Sequence, residues 1–186
     1  SYIESEWWAI KQISDKGLIY KGHKIVPYCP RCGTSLSSHE VAQGYKDVKE
    51  TSIFVRFHIK GEENRYLVAW TTTPWTLPSN VALAVNPEID YVEVKVKSDD
   101  QTLILAKNAI KYLGEDKLEV LRMFKGEELV GRKYETCFPE LEAQQGFEHK
   151  IVAWEDVDAE EGTGVVHIAP GCGAEDNELG KRLGLP

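Results

Sequence analysis

From position 53 onward, short runs in which apolar and polar residues alternate recur along the 186-residue chain, and they restrict its fold more than any other feature. Ile53, Val55, Phe57 and Ile59 alternate with Phe54, Arg56 and His58; Val92, Val94 and Val96 alternate with Glu93, Lys95 and Lys97. Val81, Leu83 and Val85 repeat the pattern. A period of two places one face of each run in a core and the other toward solvent, as in a β-strand. Further strands are predicted over 66–70, 102–105, 118–124, 150–154 and 163–168. Many short strands with turn signals between them predict a closed barrel or a sandwich. Helices are predicted at the edges of this β pattern. Ile3, Trp7, Ile10 and Ile13 mark an amphipathic helix over 2–16, stopped by Gly17. A brief helix over 107–113 ends at Gly114. A last one over 174–183 has acidic residues in its first turn and Lys181 and Arg182 in its last, matching the helix dipole. The reading is a β-dominated α+β chain, a closed β-barrel core with peripheral helices packed outside it.

Composition then removes whole classes of function. A net charge of −8 argues against a free-standing nucleic-acid binder that gains its affinity by neutralising phosphates. No apolar run reaches membrane-spanning length, and no basic-then-apolar leader is visible, so neither insertion nor secretion is expected. The four cysteines fall as one close pair and two singles, Cys137 and Cys172, which fits a reducing cytosol better than a disulfide framework. The chain reads as an excerpt, opening inside a helical pattern and stopping at Leu185-Pro186.

Two stretches concentrate chemistry. In Trp70-Thr71-Thr72-Thr73-Pro74-Trp75-Thr76-Leu77-Pro78-Ser79-Asn80, hydroxyls cluster where a strand must yield to a loop, because the prolines forbid its continuation. Threonine is also a good strand residue. Its hydroxyl can nevertheless hold a water, an ester carbonyl or a ribose hydroxyl without bringing charge. The second stretch, Gly162-Thr163-Gly164-Val165-Val166-His167-Ile168-Ala169-Pro170-Gly171-Cys172-Gly173-Ala174-Glu175-Asp176, runs strand, glycine loop, helix start. That layout often cradles a phosphate. Here Glu175 and Asp176 would repel one, and a carboxylate at that mouth suits a cation such as a substrate ammonium. Glu175 is sufficiently explained by the helix dipole. His167 can be a hydrogen-bonded core residue as well as a site residue, and nothing else in the chain supports it as the base of a Cys172 nucleophile.

Cys29-Pro30-Arg31-Cys32-Gly33 has the spacing and trailing glycine of a zinc knuckle. A structural zinc takes four ligands, and no second such pair exists. Cys137, Cys172, His23 and His39 lack the partner spacing to complete it. Cys29 and Cys32 therefore read as half a site.

Taken together, the strings at 70–80 and 162–176 resemble the editing domain of the isoleucyl-tRNA synthetases. The stretch 27–42, Pro-Tyr-Cys-Pro-Arg-Cys-Gly-Thr-Ser-Leu-Ser-Ser-His-Glu-Val-Ala, resembles the lead-in to the same connective-peptide insertion. Valyl and leucyl relatives share that fold but carry arginine in place of Thr73 and an acidic residue in place of Trp75, so this chain has the isoleucyl form. The resemblance implies a lead-in segment, 1–45, with a helix and the half knuckle, and a β-barrel editing domain, 46–186. It implies hydrolysis of valine wrongly esterified to the isoleucine tRNA, and of valyl-adenylate, with the parent enzyme charging the tRNA. It places Thr71, Thr72, Thr73 and Asp176 in the catalytic set, with Asp176 on the substrate ammonium, and Trp75, Thr76, Asn80 and His167 in substrate binding, with His167 limiting side-chain size. Editing would need no cofactor; zinc would sit at Cys29 and Cys32 with ligands from elsewhere in the insertion, and ATP and magnesium would belong to the parent synthetase. The implied partners are the 3′ end of the tRNA, valyl-adenylate and the rest of the synthetase, in the cytoplasm and away from membranes. The competing reading is a catalytically silent zinc-knuckle module that docks tRNA or the synthetase body.

Overall fold

The computed structural model describes residues 1–186. Ten strands are present: β1 (Tyr28–Cys29), β2 (Thr34–Ser35), β3 (Ile53–His58), β4 (Arg65–Thr71), β5 (Ala82–Val85), β6 (Asp90–Val96), β7 (Thr102–Ala106), β8 (Leu118–Lys125), β9 (Lys150–Ala153) and β10 (Val165–Ile168). The α-helices are α1 (Tyr2–Asp15), α2 (Ser38–Ala42), α3 (Ile110–Leu113) and α4 (Ala174–Leu183). Each run of alternating residues became a strand, with ends shifted by a residue or two.

The strands form a five-stranded sheet ordered β3-β4-β7-β6-β8, a three-stranded sheet ordered β10-β5-β9, and the small β1-β2 pair. Most neighbours are antiparallel, but β4 runs parallel to β7 and β5 parallel to β9. The main core lies between the two larger sheets. Leu67 and Ala69, Ile104 and Ala106, Leu83 and Val85 all point into it, together with Phe57, Tyr91, Ile151 and Val165. Because side chains alternate, the opposite face of the same strands feeds two smaller cores. Val68, Val92, Val94, Leu103 and Leu105 pack near α3, and Ala82, Ala84 and Ile168 pack beneath Leu179 of α4. Strands β4, β5 and β7 are buried on both faces, which suits the parallel pairing that two of them share with each other.

The expected closed barrel is not found as a continuous ladder. Two bridges, Ile59↔Tyr134 and Lys133↔Lys150, connect β3 to β9 along one side. On the other, β10 lies against β4 without pairing with it. There the approach is held by isolated bonds: the Ala106 amide donates to the Thr163 carbonyl at 2.8 Å, and the Tyr91 hydroxyl donates to the Gly164 carbonyl at 2.5 Å. Gly164 has φ +67°, and a Cβ there would stand 2.5 Å from Ala106 Cβ, so this seam accepts no larger residue. The positive φ also delays the start of β10 to Val165.

The helices do not all pack outside the sheets as expected. The α4 helix does, but no residue of α1 is buried, and its apolar residues Ile3, Trp7, Ile10 and Ile13 are exposed. Phe57 is the first buried residue in the chain. No helix is long and apolar enough to cross a membrane.

Candidate functional site: a carboxylate-lined cleft

The two motifs meet in space. The threonine-rich stretch leaves the end of β4 and passes into a 3-10 turn, Pro74–Ser79, that starts at a proline and is therefore short. The second motif supplies β10, the loop after it and the first turn of α4. Between them opens a cleft of about 520 Å³ lined by Thr71, Thr72, Thr73, Trp75, Thr76, His167 and Asp176.

Local bonding explains how each side chain is held. The buried Thr71 hydroxyl accepts from the Thr73 amide at 3.1 Å and lies 3.3 Å from the Thr73 hydroxyl. This short side-chain-to-backbone turn ends the strand without leaving its amide orphaned. The Thr76 hydroxyl donates to the Thr73 carbonyl at 2.8 Å and also meets His167 Nε2 at 2.9 Å, tying the two motifs directly. Burial pushes the His167 imidazole below its ordinary value of 6.5, so the ring is neutral at pH 7. Across the cleft, Asp176 folds back from the first turn of α4 to accept the Ala169 amide at 2.8 Å. A Cβ at position 173 would come within 2.9 Å of its Cγ, so a glycine precedes the helix to admit the carboxylate. Burial raises the Asp176 pKa, and the Ala169 amide offsets part of that rise. A half-buried carboxylate of raised pKa, with one oxygen held by an amide, gains by meeting a cation.

The remaining lining reinforces this polarity. Asp156, Asp158, Glu161 and Glu175 share the cleft with Asp176, and no lysine or arginine lines it. Trp70 and Trp154 add aromatic walls, while the Trp75 indole is 73% exposed at the mouth. Asp156, Asp158, Glu161, Trp70 and Trp154 were not anticipated. Their signal was available as the acidic run 155–161 between two strands, but a loop's charge run says nothing of the surface it folds against.

Asn80 is the exception among the expected lining residues. It is 1% exposed and lies outside the cleft. Its amide nitrogen donates to the Ala82 carbonyl at 2.8 Å, and its oxygen accepts from the Tyr134 hydroxyl at 2.6 Å. Both ends of the amide are thus spent inside the fold, fixing the exit of the 3-10 turn. Cys172 is exposed at the rim and makes no pair with His167.

Cys29 ends β1, and Cys32 lies in the turn that leads to β2. The Cys32 amide points at Cys29 Sγ at 3.4 Å, and that contact lowers the Cys29 thiol pKa. The pair fits half of a tetrahedral thiolate site, in which bound zinc would add structure rather than catalysis. No group of three or more His, Cys, Asp or Glu residues is placed to hold a metal.

The two sheets, with α4 flanking the smaller, have the fold of aminoacyl-tRNA synthetase editing domains. GlLeuRS-CP1 superimposes with a TM-score of 0.61 at 17% identity, over 72% of this chain and 60% of that one. The P. knowlesi cytosolic leucyl-tRNA synthetase editing domain gives 0.58 at 17% identity, over 72% and 62%. The model of tRNA synthetases class I (I, L, M and V) matches residues 1–152, and the chain belongs to that family. Along its length it is similar to isoleucine–tRNA ligases, 55% identical to that of Clostridium tetani over 185 residues and 59% identical to that of Clostridium acetobutylicum over 189. The enzyme of Picrophilus torridus is 52% identical over 184 residues. The chain covers 18% of the length of each of these relatives.

Proposed function

We propose that this chain is the editing region of an isoleucine–tRNA ligase and hydrolyses valine esterified to the terminal adenosine of the isoleucine tRNA, with valyl-adenylate as a further substrate. The observation that carries the reading is the cleft itself, where a run of threonine hydroxyls faces a neutral histidine and a set of carboxylates without any cation.

Isoleucyl-tRNA synthetases are themselves the standing example of why such a site is needed. One methylene in an apolar pocket is worth only about 1–3 kcal/mol, so the charging site cannot reject valine well enough alone. A second, smaller pocket that destroys what fits corrects the error. In the proposed reaction Asp176 takes the α-ammonium of the aminoacyl group, which its raised pKa and acidic surroundings favour. Water attacks the ester carbonyl carbon, the carbon–oxygen bond to the ribose breaks, and the leaving oxygen gains a proton to become a hydroxyl. Free valine departs. Thr71, Thr72 and Thr73 line the cleft, with the Thr71 hydroxyl buried against Thr73, and this threonine run orients a water and the developing oxyanion, a positioning effect rather than general-base catalysis. The acidic lining keeps the tRNA phosphates outside and admits the cationic end of the substrate. The 3′ end of the tRNA and the remainder of the ligase, in the cytoplasm, are the partners; ATP and magnesium serve the ligase's charging site.

Incubating the chain with valyl- and isoleucyl-tRNA of the isoleucine tRNA tests the reading. Valyl ester should be lost much faster than the spontaneous rate and isoleucyl ester spared. Loss of neither above background would leave the docking-module reading in its place.

A further inference from the structure

A second hollow, of about 600 Å³, adjoins the cleft and shares Trp154, Asp156 and Glu175 with it. Its remaining walls are Glu178, Leu179 and Arg182. Positions 175, 178, 179 and 182 fall on one face of α4, so the hollow lies between that face and the residue that follows β9. Arg182 is the one lysine or arginine lining either space, and it joins none of the chain's ion pairs. The three tryptophans around the cleft are held differently. Trp70 is closed over by Gly162, where a Cβ would stand 2.9 Å from its ring, and Trp75 is mostly exposed. Trp154 is both fixed and accessible. Its amide donates to the Val85 carbonyl at 2.9 Å, its indole Nε1–H donates to Asp156 Oδ2 at 3.0 Å, and its side chain packs against the core beneath α4 while bordering both spaces. An aromatic face that is already fixed loses little freedom when a flat ligand stacks on it.

We propose that Trp154 is a stacking shelf for the adenine of the substrate's adenosine, which lies in this second hollow while the aminoacyl group occupies the cleft. Both proposed substrates carry that adenosine, the tRNA at its 3′ end and valyl-adenylate as its nucleotide. The acidic walls bar a phosphate but not an uncharged base. They also select among bases: adenine offers an exocyclic amine, a donor, and Glu175 and Glu178 supply acceptors for it. Asp156 is occupied by the indole and holds the shelf in place. Arg182, on the last turn of α4, meets a phosphate that stays at the outer edge of the hollow. For the identity of its ligand the inference rests on the editing reading; for its geometry it rests on the shared wall and the restrained indole.

Titrating the nitrogen-15-labelled chain with adenosine monophosphate, while following the indole N–H signals by NMR, tests it. The Trp154 signal, identified by its loss in Trp154→Phe, should move on addition of the nucleotide. Inosine monophosphate, which puts a carbonyl oxygen where adenine has its amine, should bind a few-fold more weakly. Arg182→Gln should weaken the binding of adenosine monophosphate but not of adenosine. In parallel, Trp154→Ala should raise KM for valyl-tRNA by about 5- to 100-fold, the range for losing one base–aromatic stack, with kcat unchanged. Trp154→Phe keeps an aromatic face and should stay within a few-fold of the parent, which separates a lost stack from a lost fold. A Trp154 signal unmoved by adenosine monophosphate, or Trp154→Ala with the KM of the parent, overturns the proposal. If the parent hydrolyses neither ester, the editing reading falls, and the nucleotide titrations alone then decide whether Trp154 is a base-binding shelf.

Discussion

Asp176 and His167 are both titratable groups displaced by burial, in opposite directions, and each of the tasks proposed for them has its own test. For Asp176 the folded pKa lies above the ordinary 3.8, so the ionised form costs the fold stability. That cost is absent below pH 3.8 and appears as pH rises through the folded value. Asp176→Asn should therefore melt above the parent at pH 7, with the gap closing in acid. The same variant should lose valyl-tRNA hydrolysis by about 10- to 100-fold, as expected when a charge-assisted contact of roughly 1.5–3 kcal/mol is removed. A lower melting temperature at pH 7 would instead make the Ala169 bond the main task of the carboxylate. For His167 the prediction concerns selectivity. His167→Ala should raise the ratio of isoleucyl to valyl hydrolysis, because the wall is removed; a proton-transfer role would depress both rates together and leave the ratio alone. Initial rates on the two esters separate these outcomes.

At the scale of elements, the 3-10 turn Pro74–Ser79 is the part on which the cleft depends, and Asn80 is its anchor. The Tyr134 hydroxyl, held by Asn80, is itself buried, and burial raises its pKa further beyond reach of ionisation at neutral pH. Asn80→Ala would leave that hydroxyl without its acceptor. The loss should be about 1–3 kcal/mol in urea denaturation. Adding Tyr134→Phe should recover part of it, because the two residues share one bond. Strictly additive losses would show that the pair is not coupled. A resemblance in sequence placed Asn80 in the pocket with its neighbours; the turn rotates it into the core instead, since a 3-10 segment directs successive side chains around its axis and not along one face.

For the whole molecule, the two sheets and α4 hold the buried core, to which the first 45 residues contribute no buried residue. Nothing before Phe57 is buried, and the Lys181 ammonium reaches the His23 carbonyl only at 3.4 Å. Removing residues 1–45 should change unfolding free energy by no more than about 0.5 kcal/mol, the usual range for alterations outside the core. A larger loss would mean that the segment packs on the sheets in solution. Chelator should leave the melting temperature unchanged for the same reason, since Cys29 and Cys32 have no further ligand gathered around them. A marked fall would reveal a metal completed by other groups of the chain.

What the sequence determined by itself was the strand content, because alternation at period two is a local property that survives in any β packing. It also determined the neighbourhood of Thr71–Thr76, His167 and Asp176, through two strings long enough to be specific. Tertiary structure alone decided the rest. Which strands run parallel, and that β10 meets β4 without a ladder, depend on loop crossings that leave no periodic trace. The burial of Asn80 depends on where Tyr134, 54 positions away, comes to lie. The acidic wall of Asp156, Asp158 and Glu161 was visible as charge, but only the folding of the β9–β10 connection turned that charge inward onto the cleft. Neighbours in space set a side chain's task, and the local pattern of a chain does not contain them.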